Sequence, residues 1–367
     1  MKKLKVAYFL GRLHRGGMET LLLDLLQQAG TASHEMMVIY REEGNMSPLF
    51  KATGARMFRL AARKGLDIRF LWRLRRLLRA EGVDVVHAQH PLEAAYAWLA
   101  CLGAGVKVVE TLHGYDFGLT GKGTRIMKWM LKRAHLNVFV SETQRAYYMK
   151  KYRLPDDGRQ VVVYNGIHFA KIERRDDRES APASPGCWSL GMVGSFGAVR
   201  DQMTVCRFLS RLKSSGISFR FLFAGNDDTP SGEACARYCR ENGLEREVRF
   251  LGTRDDVPAL LAGLDAFVYA SRHDTFGIAV IEAIAAAIPV FVNDWEVMRE
   301  VTGNGALAVL YKTGDAEDLY RHFLDFTTRP GFYREQARKA AARVTNLYSV
   351  EQHLSALSSH YSRICNR

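Results

Sequence analysis

The chain has 367 residues, too many for one ordinary hydrophobic core, and reads as two domains of roughly 150–200 residues each. Its 47% hydrophobic content is ordinary for a soluble globular protein, its six scattered cysteines argue against a disulfide framework, and no uncharged apolar run nears the roughly 20 residues of a membrane span. The net charge is +13, but residues 1–175 hold 30 Lys/Arg against 15 Asp/Glu and the remainder 22 against 24, so the whole excess sits in the first half. A one-sided basic half points to an anionic partner, either a membrane surface or a nucleic acid. Met1–Lys5 looks like a basic leader, but the apolar run Val6–Leu10 is too short, so no signal peptide is expected.

Lys5–Leu10 reads as a strand. Gly11, Gly16 and Gly17 loosen the turn that follows, and Glu19–Gln28 has helical spacing. Strand, glycine loop and helix together let backbone approach a phosphate. Met36–Tyr40 and Arg56–Leu60 read as further strands. Residues 66–82 read as a helix with Ile68, Leu71, Trp72, Leu74, Leu77 and Leu78 on its apolar face and Arg69, Arg73, Arg75, Arg76 and Arg79 over the rest. Val83–His87 is a strand; His87 and His90 at its end are spaced for a metal but have no third ligand nearby. A helix over Ala94–Gly103 and a strand over Val106–Thr111 lead to His113. A histidine at a strand end can position a hydroxyl or shuttle a proton, because it titrates near neutrality. In residues 124–135, Arg125, Lys128 and Lys132 share one helix face, Met127, Met130, Leu131 and Ala134 another, and Trp129 the border. That pattern suits a helix lying on an anionic bilayer, and also a core helix with a solvated basic face. Leu136–Val140, a capped helix over Ser141–Lys151 and a strand over Val161–Tyr164 complete the half.

Lys171–Pro185, dense in charge, Ser and Pro, reads as an exposed linker. Strands at Trp188–Gly194, Phe219–Gly225, Val248–Gly252 and Asp265–Ala270 then alternate with helices, so both halves read as βαβ units around parallel sheets. The most informative stretch is Ser271–Asp294. It opens as a polar turn with Asp274, Thr275 and Gly277, enters a helix carrying Glu282 on an apolar run, and ends at Pro289 and the strand Val290–Val292. Ligands of open parallel sheets sit at the carboxyl ends of strands. The N–H groups of residues 275–278 would lack helical acceptors there and, with the helix dipole, suit a phosphate. Asp274 and Glu282 can accept hydrogen bonds from paired sugar hydroxyls, so the stretch reads as a nucleotide-sugar site. The plainer reading makes Asp274 a helix cap and Glu282 an exposed carboxylate. The tail from Ala316 is helical in pattern.

These residues resemble the retaining glycosyltransferases of family 4, whose signature is an acid, seven residues, Glu, an Ala-rich helix, Gly, any residue, Pro and Val. Here it runs Asp274, Glu282 and Ala287-Ile288-Pro289-Val290, with Asp for the usual Glu and Ala287 for the usual Gly. Gly16-Gly17-Met18-Glu19 is similar to the family's G-G-x-E loop and Thr111-Leu112-His113-Gly114 to its Thr-x-His-Gly. Asn165-Gly166-Ile167 resembles the signature where family chains cross into the second domain. The resemblance implies an α/β GT-B fold of two Rossmann-like βαβ domains facing each other across a cleft. An acceptor-binding domain is expected over 1–168, a linker over 169–186, a nucleotide-sugar domain over 187–346, and a helix over 347–367 crossing back to the first domain. It also implies roles. The catalytic set is His113, Asp274 and Arg200. Asp274 holds the donor sugar and Glu282 the ribose, with Gly16, Gly17, Thr275, Phe276, Gly277 and Ile278 against the donor. Arg200 stands for the family Lys on the diphosphate and Ser195 for its Arg, a lost cation that Arg12 or Arg15 can offset. Gly225, Thr253 and Arg254 flank the base.

The implied activity is hexosyl transfer with retention from a nucleotide-sugar, a UDP-sugar ahead of a GDP-sugar, to a lipid-linked or surface-polysaccharide acceptor, as in lipopolysaccharide biosynthesis. The family works without a divalent metal, and neither metal nor cofactor is expected. The basic helices spanning Arg69–Arg79 and Arg125–Arg133 make an anionic membrane a further expected partner, with a cytoplasmic protein bound peripherally at its inner face. No nucleic acid is expected, because aromatic and basic residues are not interleaved on any strand face. The alternatives are a nucleotide-sugar epimerase on the same fold and a basic nucleic-acid-binding protein.

Overall fold

A computed structural model describes residues 3–63, 67–119, 121–172 and 186–366. The chain divides into two units: Met1–Ile167 with Tyr348–Arg367, and His168–Leu347. Most of the expected linker, residues 173–185, lies outside the described residues.

Unit 1 opens with β1 (Lys5–Arg12), whose unbroken buried run Val6–Leu10 marks a strand covered on both faces, as parallel strands are. Then come α1 (Gly17–Gln27), β2 (Glu35–Glu42), α2 (Ser47–Ala52), β3 (Arg56–Arg59), α3 (Ile68–Glu81), β4 (Val85–Ala88) and α4 (Pro91–Cys101). β5 (Lys107–Leu112), α5 (Lys122–Arg133), β6 (Leu136–Phe139), α6 (Glu142–Tyr152) and β7 (Gln160–Val162) follow. The strands pair in parallel in the order β3-β2-β1-β4-β5-β6-β7. Strand order reverses between β1 and β4, so the loops after these two strands flank the point where such sheets bind ligands.

α1 covers one face of this sheet, and α3, α4 and α5 cover the other. In α3 only Phe70, Leu74 and Leu78 are buried, a narrow stripe one turn apart. Ile68 and Trp72, expected on the apolar face, are instead 74% and 60% exposed. Trp129 of α5 packs edge-on against Trp98 of α4, with ring centroids 4.8 Å apart. A polar row also crosses the sheet, with Glu110 beside Asn137 and Asn137 beside Gln160. Asn137 Nδ2 donates to Gln160 Oε1 at 2.8 Å, while neither carboxyl oxygen of the fully buried Glu110 finds a partner among the described residues. Burial pushes the Glu110 carboxyl up to about 8, so it is mostly protonated at neutral pH.

Unit 2 repeats the plan with β8 (Trp188–Val193), α7 (Gln202–Ser214), β9 (Phe219–Ala224), α8 (Pro230–Glu241), β10 (Val248–Phe250), α9 (Val257–Ala262) and β11 (Ala266–Tyr269). α10 (Ile278–Ala285), β12 (Val290–Asn293), α11 (Glu296–Val301), β13 (Val309–Tyr311), α12 (Ala316–Thr328) and α13 (Pro330–Leu347) complete it. Its parallel order is β10-β9-β8-β11-β12-β13, with the reversal between β8 and β11. Ala287, in the position of the usual Gly, adopts φ 60, a left-handed conformation that costs a residue with a Cβ about 1–2 kcal/mol. Its N–H donates to Ile284 O at 3.0 Å, closing α10, and Pro289 prevents the helix from resuming.

The chain then returns to unit 1 as α14 (Val350–Cys365), which buries Val350, Leu354, Leu357, Tyr361 and Ile364 in the same cluster as Leu21, Leu22 and Leu25 of α1. Each such apolar side chain contributes roughly 1.5–3 kcal/mol, so this stripe anchors the helix. Gly166 makes room for it: a Cβ there would lie 2.7 Å from Val350 Cα and 2.8 Å from His353 Cβ.

Candidate functional site

In unit 2 all strand carboxyl ends lie along one edge, and the loops after β8 and β11 are stitched together at the reversal point. The N–H groups of Arg272 and His273 both donate to Val199 O, at 2.9 and 3.2 Å. From the other side, Asn293 at the end of β12 accepts from Ser271 N at 2.9 Å and donates to Ser271 O at 2.7 Å. This framework fixes Arg200 beside Asp274. Arg200 Nη1 donates to Asp274 Oδ2 at 2.5 Å and to Ser271 Oγ at 3.0 Å, and its guanidinium carbon sits 5.2 Å from the centre of the Tyr269 ring. Tyr269 OH donates to the same Oδ2 at 2.6 Å. Burial opposes the Arg200 charge, but Tyr269 and Asp274 outweigh it, so the guanidinium stays protonated.

Two expectations change here. The amides of Thr275 and Phe276, expected to face a phosphate, both donate to Asp274 Oδ1, at 2.8 and 3.3 Å. The chain's own carboxylate fills that position in the turn before α10, and it is not the helix cap of the plainer reading, because Gly277 holds the N-cap. α10 begins only at Ile278, after Gly277 in a left-handed φ of 81, where a Cβ would meet Met298 Cε at 2.7 Å. In this turn, the amides of Gly277, Ile278 and Ala279 have no acceptor among the described residues. Second, Asp274 and Arg200, assigned separately to sugar and diphosphate, neutralise each other. Both Arg200 bonds use Nη1, which leaves Nη2 for an anion.

Glu282 is partly buried on α10, four residues beyond Ile278. Gly225 has a packing reason beside its expected role at the base: a Cβ there would lie 2.4 Å from Gly194 C, so the loop after β8 passes only over glycine. Ser195 is exposed in that loop. Thr253 and Arg254 are exposed beyond β10, and Arg254 is held by Asp256 at 2.8 and 2.6 Å.

In unit 1, Gly16 is extended and Gly17 starts α1. A Cβ on Gly16 would lie 2.6 Å from Glu19 Oε2, so Glu19 folds back over the helix start, where burial raises its pKa. Again a carboxylate of the chain stands where a phosphate was expected. Arg12 pairs with Glu42 at 2.8 Å, both side chains largely exposed. The glycine loop is clamped by residues the sequence did not single out. Met46 N donates to Leu13 O at 3.0 Å and Arg15 N to Asn45 Oδ1 at 2.9 Å, while a Cβ on Gly44 would overlap Leu13 O at 2.1 Å. The Gly44-Asn45 pair just past a strand was the available signal.

His113 follows β5 with Nε2 2.8 Å from Gln89 Oε1. Gln89 Nε2 donates to His87 O at 3.3 Å, which orients the amide. His113 therefore carries its proton on Nε2. Burial, then His353 and His90, hold its pKa down to about 3, not near neutrality. An imidazole held that low stays neutral at neutral pH. His87 is buried between Tyr361 OH at 2.5 Å and Thr111 Oγ1 at 2.6 Å, and His90 caps α4 by accepting from Leu92 N, so the two do not form a metal pair. Among the described residues, no group of three or more His, Cys, Asp or Glu could hold a metal.

The two family models that match divide the chain between them: Glycosyltransferase Family 4 over residues 15–171 and Glycosyl transferases group 1 over 173–344. The chain is 21% identical over 302 residues to the N-acetyl-alpha-D-glucosaminyl L-malate synthase of Bacillus anthracis, covering 80% of this chain and 78% of that protein. It is 25% identical over 323 residues to the phosphatidyl-myo-inositol mannosyltransferase of Mycolicibacterium smegmatis, covering 83% and 79%. The crystal structure of Anabaena HepE in complex with UDP-glucose superposes with a TM-score of 0.84 at 16% identity, over 98% of this chain and 100% of that one. The chain therefore belongs to the GT4 group of glycosyltransferases, with the GT-B fold.

Proposed function

We propose that this glycosyltransferase transfers a hexose with retention from a UDP-sugar bound along the carboxyl edge of the unit 2 sheet. The observation that carries the reading is Arg200, immobilised at the strand reversal with Nη2 uncommitted, next to the acceptor-free amides of Gly277, Ile278 and Ala279. Together they form a preorganised field for a diphosphate whose negative charge grows as the glycosidic bond breaks. Glu282 accepts from the ribose hydroxyls, Asp274 from the donor sugar, and Gly225, Thr253 and Arg254 flank the base. The reaction runs without a divalent metal or cofactor, the charge being met by Arg200 and the amides. His113 approaches the acceptor hydroxyl. The UDP-glucose bound in Anabaena HepE supports the choice of donor. Calorimetry with UDP-glucose and UDP-galactose tests the assignment. Glu282→Ala is expected to weaken binding at least tenfold, the loss of hydrogen bonds to a charged acceptor. Undiminished affinity would sink it.

The acceptor is a glycan or lipid-linked sugar bound by unit 1, at the cytoplasmic face of an anionic membrane. Unit 1 carries 29 Lys/Arg against 15 Asp/Glu. α3 and α5 both pack beside α4 on one sheet face, which gathers Arg69, Arg73, Arg76, Lys128 and Lys132 on the side where Ile68 and Trp72 are exposed. The phosphatidylinositol mannosyltransferase relative supports a lipid-linked acceptor. No helix among the described residues is long and apolar enough to cross a membrane. Sedimentation with phosphatidylglycerol vesicles is expected to retain the protein at low salt and release it at high salt. Equal retention by neutral phosphatidylcholine vesicles, or none by either, would contradict this.

A further inference from the structure

The segment directly after His113 carries a group of side chains that donor binding does not use. Tyr115 and Phe117 stack with ring centroids 4.9 Å apart and planes 23° from parallel. Tyr147 of α6 stands edge-on to both, at 4.9 and 5.6 Å. Between the two stacked rings in sequence, Asp116 is buried and braces the assembly. It accepts from Tyr147 OH at 2.6 Å, from Lys151 Nζ at 2.9 Å and from Tyr152 OH. Lys151 also donates to Tyr147 OH at 2.8 Å. The backbone leading from His113 is pinned as well, because Gln144 Nε2 and Tyr148 OH both donate to Gly114 O at 3.0 Å.

Phe117 nevertheless remains 50% exposed, and the Lys151 side chain 42%. A lone exposed phenylalanine on a loop needs no explanation. This one is stacked on a tyrosine and fixed by a buried carboxylate with three donors, so it is a rigid apolar surface bordered by a cation. A pyranose ring has the complementary surface: a face of C–H bonds and a rim of electron-rich oxygens. Binding sites for small polar ligands commonly pair aromatic walls with a few placed polar groups. The complementary charge of Lys151 favours the oxygen rim, and a shelf fixed before binding spares the ordering cost that a mobile loop would incur. The geometry points to an acceptor-sugar platform at Phe117 and Tyr115, with Lys151 reaching a ring or hydroxyl oxygen. The inference rests on the transferase reading and names where unit 1 holds its acceptor.

Saturation-transfer-difference NMR on the full chain tests it with the methyl glycosides of glucose, galactose, mannose and N-acetylglucosamine. UDP calorimetry and the melting temperature serve as controls. The wild type is expected to transfer saturation to the C–H protons of at least one glycoside. Phe117→Ala should lose about fivefold in affinity, Phe117→Tyr should retain it, and neither should change UDP binding or melting temperature. No transfer to any glycoside, or undiminished transfer in Phe117→Ala, overturns the platform and leaves the donor site standing. A parallel loss of UDP affinity or of melting temperature in Phe117→Ala would assign the ring a packing role and also overturn it. Failure of the wild type to bind UDP would instead remove the transferase reading, and the platform with it.

Discussion

Replacing Arg200 with alanine is expected to lower turnover of a UDP-sugar by about 10²–10³-fold, the usual loss when one preorganised donor to a developing oxyanion is removed. The fold should survive. Asp274 keeps the hydroxyl of Tyr269 and the amides of Thr275 and Phe276, so its carboxylate is not left bare. Arg200→Lys should recover part of the rate, since a point charge replaces a fork that spans Asp274, Ser271 and an incoming phosphate. Asp274→Asn separates the two jobs of that carboxylate. It keeps an oxygen for the two amides but removes the charge that occupies Arg200. UDP itself should then bind up to about tenfold tighter, while turnover of the UDP-sugar falls because an acceptor for its hydroxyls is lost. Steady-state kinetics with UDP calorimetry on the three variants check this. An Arg200→Ala rate within threefold of wild type would contradict it.

Unit 1 is expected to be acid-labile. His34 shares hydrogen bonds with Tyr8 OH and Ser358 Oγ, and His353 with Tyr164 O, so α14 is held by buried imidazoles as well as by its apolar stripe. Burial holds the pKa of His34 and of His353 down to about 4, and that of fully buried His87 well below its usual value. A histidine whose folded pKa is depressed leaves the unfolded chain binding more protons once pH drops below about 6.5. Its stabilisation is therefore complete above 6.5 and is lost as pH falls toward 4. At 1.36 kcal/mol per unit, His34 and His353 together amount to on the order of 7 kcal/mol, comparable with a whole domain's stability. Glu110 acts in the opposite direction. Its pKa is raised, so its contribution is complete below the unfolded value near 4.5 and is lost as pH rises through about 8. The urea midpoint followed by circular dichroism should therefore peak near pH 6.5–7, fall steeply below pH 6 and decline more gently toward pH 8. Glu110→Gln should remove only the gentle decline. A midpoint that is flat between pH 5 and 7 would contradict the histidine account.

Much of this was legible in the chain because local and global preferences agree. The alternation of apolar runs such as Val6–Leu10 with helical spacing predicted parallel sheets. Asp274 and Glu282 stood out because acids are uncommon in so apolar a stretch. What periodicity could not carry was partnership across long separations. Arg200 and Asp274 lie 74 residues apart and meet only once β8 and β11 are neighbours. For the same reason the amides of Thr275 and Phe276 looked available when Asp274 already held them. Burial was misjudged in α3 at Ile68 and Trp72, which stay exposed, whereas Leu71, Leu74, Leu77 and Leu78 pack on the core together with Phe70. The shift of His113 depends on what encloses it, and the enclosing His353 sits on a helix 240 residues later in the chain. Ala287 shows the converse case, a left-handed backbone held by a residue with a Cβ where the resemblance implies glycine.

The claim beneath all of this is that the carboxyl edge of the unit 2 sheet, from Arg200 to Glu282, grips an activated sugar. The measurement that addresses it most directly is calorimetry of one UDP-sugar against the wild type, Arg200→Ala and Glu282→Ala under identical conditions. Saturable binding by the wild type, with each variant weakened at least tenfold and all three melting alike, is the predicted result. Equal affinities across the three would contradict it.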